Sequence, residues 1–84
     1  MKTRTTKTAA ETYATRAADI DALLDLIQQQ MQVHKEEAAA QPRDWGFAGD
    51  LEHVRARLSE VLSSLSGMEE HTITETLEDL RTDR

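Results

Sequence analysis

The sequence contains no cysteine, so disulfides and thiolate zinc sites are excluded as staples, and a reducing compartment suits the chain. No run is apolar for long enough to span a bilayer, and the start of the chain lacks the apolar core of a secretion signal. A soluble, cytoplasmic protein without membrane contact is expected. There is no surplus of basic charge either: the total is -6, with 10 Lys and Arg against 16 Asp and Glu. Affinity for nucleic acid rests largely on Lys and Arg neutralising phosphates, so no nucleic-acid partner is expected.

The signatures of several reaction classes are missing as well. No Gly-rich phosphate loop, no Ser-His-Asp order and no cysteine nucleophile occurs, and no Glu-x-x-His pair of the di-iron bundle type. All-helical pyrophosphohydrolases array carboxylate pairs on facing helices to hold magnesium. Here Asp21 and Asp25 lie one turn apart and Glu36 adjoins Glu37, but the single Glu-x-x-Glu is Glu75 with Glu78, and a second pair is missing. The chain is not expected to be an enzyme, and no catalytic residue or cofactor is assigned.

Breakers are scarce and concentrated. The one Pro, the one Trp, the one Phe and two of the three Gly all fall within Gln41-Pro-Arg-Asp-Trp-Gly-Phe-Ala-Gly-Asp50. Proline lacks the amide hydrogen and its ring clashes with the preceding turn, so a helix must end near Ala40. Asp50 is expected to cap the next helix by accepting an N–H of its first turn. Trp45 and Phe47 are expected to fold over the open end of a bundle, covering Met31, Leu51 and Val54. The sharper alternative is an exposed anchor for a partner protein, since Trp is over-represented at binding hot spots. The run Asp44-Trp-Gly-x-x-Gly-Asp-Leu51 resembles segments of small bacterial helical proteins, a likeness confined to those residues that implies no activity.

What is present is helical periodicity. From Ala10 to Ala38 one stripe repeats in steps of three and four: Ala10, Tyr13, Ala17, Ile20, Leu24, Ile27, Met31, His34 and Ala38. That is heptad spacing, which keeps one seam against a partner. Leu23 sits beside the seam, and Leu26 and Val33 lie further round, widening the apolar arc to roughly 200°. Such a helix has surface for two neighbours. Leu51, Val54, Leu58, Val61 and Leu65 form a narrower stripe on a second helix, which Gly67 ends in a left-handed conformation. Thr72-Ile-Thr-Glu75 fits a capping box, with Ile73, Leu77 and Leu80 marking one face of a short third helix.

The expected organisation is all-α: a disordered basic tail over residues 1–8, carrying Lys2, Arg4 and Lys7, then one helical domain over 9–84. Within it the sequence predicts helix 10–40, loop 41–50, helix 51–66 and a short helix 72–82. A chain of 84 residues buries a modest core, so association with another copy is the common remedy. At 1.5 Å per residue the first helix spans roughly 40 Å and the second roughly 24 Å, so an antiparallel hairpin leaves the surface around Tyr13, Ala17 and Ile20 open. Either the third helix folds back over it, or two hairpins pair into a dimeric four-helix-type bundle; the wide arc favours the second. The expected interaction residues are Tyr13, Ile20, Leu23, Leu24, Ile27, Met31, Trp45 and Phe47.

Two further readings stand beside the homodimer. His34 and His53 fall at similar heights in an antiparallel hairpin and, with Glu37 or Asp50, are weak candidates for a metal site. The simpler expectation is a partly buried, hydrogen-bonded His34, with His53 and His71 at the surface. The segment Glu69–Arg84 holds six acids against two arginines, the charge that an acidic inhibitor or antitoxin-like protein presents to a basic partner; a solvated face is the plainer reading. The partner itself is not identified by the sequence.

Overall fold

The computed structural model describes residues 8–82. Among them the regular elements are three α-helices, α1 (Ala9–Ala40), α2 (Trp45–Ser66) and α3 (Glu70–Thr82), with no strand. They fall into two units, one ending at Gln41 and the other beginning at Pro42. Lys2, Arg4 and Lys7 of the expected tail lie outside the described residues, as do Asp83 and Arg84.

Thr8 is not part of a tail but the cap of α1. Its hydroxyl accepts the Glu11 N–H at 3.1 Å while Glu11 Oε1 accepts the Thr8 N–H at 3.0 Å, a capping box that satisfies two backbone donors lacking helical partners. The helix then runs 32 residues without interruption. It stops at Gln41, which leaves helical geometry at φ -136° and ψ 67° because Pro42 follows. The Gln41 N–H turns back to the Ala38 carbonyl at 3.0 Å.

The second helix begins earlier than the sequence suggests. Asp44, not Asp50, is its cap: Asp44 Oδ1 accepts the Gly46 N–H at 2.8 Å, and Asp50 lies inside the helix. The glycines that read as loop are tolerated because each costs only about 1 kcal/mol relative to Ala in a helix. Gly46 also helps the cap, since a Cβ there would stand 3.0 Å from Asp44 Oδ1.

Gly67 closes α2 as expected, at φ 78° in the left-handed region, and its N–H donates to the Ser63 carbonyl at 2.9 Å. Two serines then organise the link. Ser63 Oγ donates to the Met68 carbonyl at 2.6 Å, while Ser66 Oγ accepts the Met68 N–H at 3.1 Å and donates to the Leu62 carbonyl at 2.7 Å. With its polar atoms tied down locally, the link turns the chain within three residues.

The third helix also starts earlier than expected, at Glu70, so the capping box assigned to Thr72 and Glu75 does not form. Thr72 is helical, and its N–H and that of Ile73 donate to the Glu69 carbonyl at 3.0 and 3.1 Å. The short link fixes the first turn before the Thr-x-x-Glu pattern has anything to cap. Ile73, 3 % exposed, is the buried residue among those described in the α2–α3 unit, with Ser59 and Ser63 of α2 and Thr72 and Leu77 of α3 half-buried. This small core excludes most of the α2 stripe: Leu51 is half-buried, whereas Val54, Leu58, Val61, Leu62 and Leu65 are exposed.

Candidate functional site

No residue of α1 is buried. Helix geometry places Ile20, Leu23, Leu24 and Ile27 on one face, because positions three and four apart are neighbours on the cylinder. Of these, Ile20, Leu23 and Leu24 are exposed and Ile27 is half-buried. Tyr13, further towards the N-terminus, keeps 76 % of its surface in solvent, while Met31, His34 and Ala38 near the other end are half-buried. The most open apolar side chain of α1 is thus Tyr13, in its first turns.

Exposed apolar residues scattered singly are ordinary on any protein; a contiguous patch is not. Leu26 and Val33 extend this one, both exposed and both outside the expected interaction set. Their signal was the width of the apolar arc. The exposed stripe of α2 is a second such surface, marked in the sequence by the same three-four spacing.

Trp45 is 85 % exposed at the first position of α2, where its side chain has no preceding turn to rest on, so within its own unit it covers no core. Phe47, two residues on, is half-buried. Trp45 and Phe47, two positions apart on α2, point to different sides of the helix, and the indole is the more open of the two.

Among the described residues no three His, Asp or Glu side chains converge as a metal site requires. His34 is half-buried on α1 and His53 is exposed on α2. His71 is exposed, with Nδ1 3.3 Å from Glu69 Oε1. Between α2 and α3 runs a crevice of about 360 Å³ whose charged lining includes Arg55, Glu60, Glu70, Glu78 and Arg81. Arg55 already pairs with Glu52 at 3.0 Å, and Glu60 with Arg57 at 2.9 Å. Signs alternate and no nucleophile is set against a base, so the crevice is a solvated polar seam. Those two ion pairs, more than half exposed, contribute a few tenths of a kcal/mol each.

No family model matches the chain, and neither a curated protein nor a solved structure matches it. The candidate site is therefore defined by its surface chemistry: an unburied apolar helix, with an exposed indole at the start of the next.

Proposed function

We propose that this is a small non-enzymatic protein that works by self-association through α1 and by contact with other protein surfaces. The observation that carries this reading is that a helix of 32 residues exposes Tyr13, Ile20, Leu23, Leu24 and Leu26 along its length and has no buried residue. Helices draw most of their stability from packing an amphipathic face, so such a rod is stabilised by whatever covers it. A second copy is always at hand and brings an equally long stripe. The exposed stripe of α2 supports the fuller form of the proposal, two helical hairpins joined in a four-helix-type bundle. Sedimentation equilibrium at micromolar concentration tests it. A dimer is the expected species, and a monomer of undiminished helicity would overturn the reading.

Charge placement favours a second reading. From residue 42 onward the chain holds ten acidic against five basic side chains, and every described acid of α3 is exposed. An acidic inhibitor acting on a basic protein presents such a surface. One-to-one binding to a basic partner, weakening steeply with salt, is its expected result; salt-independent binding or none would discard it.

A further inference from the structure

Resting on the self-association just proposed, we infer that two copies of α1 pair antiparallel, in the register that sets Leu24 of one copy beside Ile27 of the other and Arg16 beside Glu37. The argument starts from volumes. In an antiparallel pair each layer of the seam joins two different stripe positions, and full overlap of α1 joins Leu24 with Ile27, Ile20 with Met31, Ala17 with His34 and Tyr13 with Ala38. Two layers join branched or long aliphatic residues, and the other two join a ring to an alanine. Interiors pack to nearly constant density, so evenly filled layers are favoured.

A parallel pair does the opposite. It sets Ala17 against Ala17 and Ala38 against Ala38, leaving gaps, while Tyr13 meets Tyr13 and two His34 imidazoles meet in one layer.

Exposure agrees with the antiparallel register. Tyr13, Ile20 and Leu24, the large exposed residues of the stripe, each find a half-buried partner in Ala38, Met31 and Ile27 of the other copy. The open half of each stripe is covered by the half that has less surface to hide.

Charge gives an independent argument. Arg16 and Glu37 flank the same side of the seam, and both are exposed. Antiparallel pairing brings like flanks together, so Arg16 of each copy faces Glu37 of the other, twice per dimer. The same register leaves Asp21 facing Gln28 and Lys35 facing Ala14, so it sets no like charges against each other. Parallel pairing sets Arg16 near Asp21 instead and gives Glu37 no cation.

The test is a charge exchange read by sedimentation equilibrium at low ionic strength, where such pairs are least screened. Arg16→Glu and Glu37→Arg should each weaken the dimer by about threefold to tenfold, and the double variant should return to within about twofold of the wild type. A neutral Glu37→Arg, or a double variant as weak as either single one, would overturn the register while leaving the dimer standing. A monomeric wild type would sink both. Because the chain has no cysteine of its own, orientation is also readable by oxidation. Leu24→Cys mixed with Ile27→Cys should give the mixed disulfide, and Leu24→Cys cross-linking mainly to itself would show the parallel arrangement.

Discussion

The Ser63 hydroxyl donates to the Met68 carbonyl oxygen over 2.6 Å, joining the last turn of α2 to the link before α3. The bond is partly buried, so losing the donor leaves the carbonyl oxygen poorly solvated. Ser63→Ala should lower the stability of the α2–α3 unit by about 1 kcal/mol. Thermal denaturation followed by circular dichroism checks this, and an unchanged melting temperature would mean that water replaces the hydroxyl at no cost.

Ile73 is the one residue among those described that α2 and α3 bury together. Ile73→Ala removes its methyl groups and should cost about 2–4 kcal/mol, enough to unfold a unit with so little other core. Hydrogen exchange resolved by residue would show protection lost across α2 and α3. A loss below about 1 kcal/mol would mean that the unit is held by something other than this contact.

Gly67 turns the chain with φ 78°, a conformation that costs a residue with a Cβ about 1 kcal/mol or more. No atom lies within 4 Å of a Cβ built there, so Gly67→Ala tests backbone conformation free of crowding. The expected outcome is a lower melting temperature with unchanged helicity, whereas Gly49→Ala, also in open space but within α2, should stabilise. Equal effects at the two sites would contradict the left-handed assignment.

At the other end of the chain, Thr8→Ala removes the α1 cap and should cost about 1 kcal/mol. Glu11→Gln keeps a side-chain oxygen able to accept the Thr8 N–H and should cost less. The ratio of the two losses, measured by helicity against temperature, separates the cap from the general effect of negative charge near a helix start.

Leu24→Asp with Ile27→Asp places two charges on the α1 stripe. Leu24 is exposed within its own chain, so the change should spare the α2–α3 unit and abolish association, giving a monomer by sedimentation. A dimer that survives the double substitution would show that α1 does not provide the contact.

Much of this architecture was legible from periodicity. The stripe from Ala10 to Ala38 and the proline at 42 located α1 to within a residue at its start, and Gly67 marked the end of α2. The start of α2 was misread because Gly46 and Gly49 look like loop residues, yet a competent cap at Asp44 outweighs their modest cost. The start of α3 was misread for the converse reason: Thr72 and Glu75 have the spacing of a capping box, but a three-residue link begins the helix upstream of them. The Thr8–Glu11 box shows the same pattern and does form, with both of its hydrogen bonds in place. At the candidate site, the apolar face of α1 was legible in its three-four spacing. The open position of Trp45 was not, since an aromatic residue beside two glycines reads first as a lid and only then as an anchor.

The only tyrosine belongs to the unit that ends at Gln41 and the only tryptophan to the unit that begins at Pro42, and both rings stand largely in water. Each half of the molecule therefore carries one natural chromophore of its own. Indole emission, excited at the red edge of its band where tyrosine does not absorb, reports on the α2–α3 unit alone, without any label being introduced.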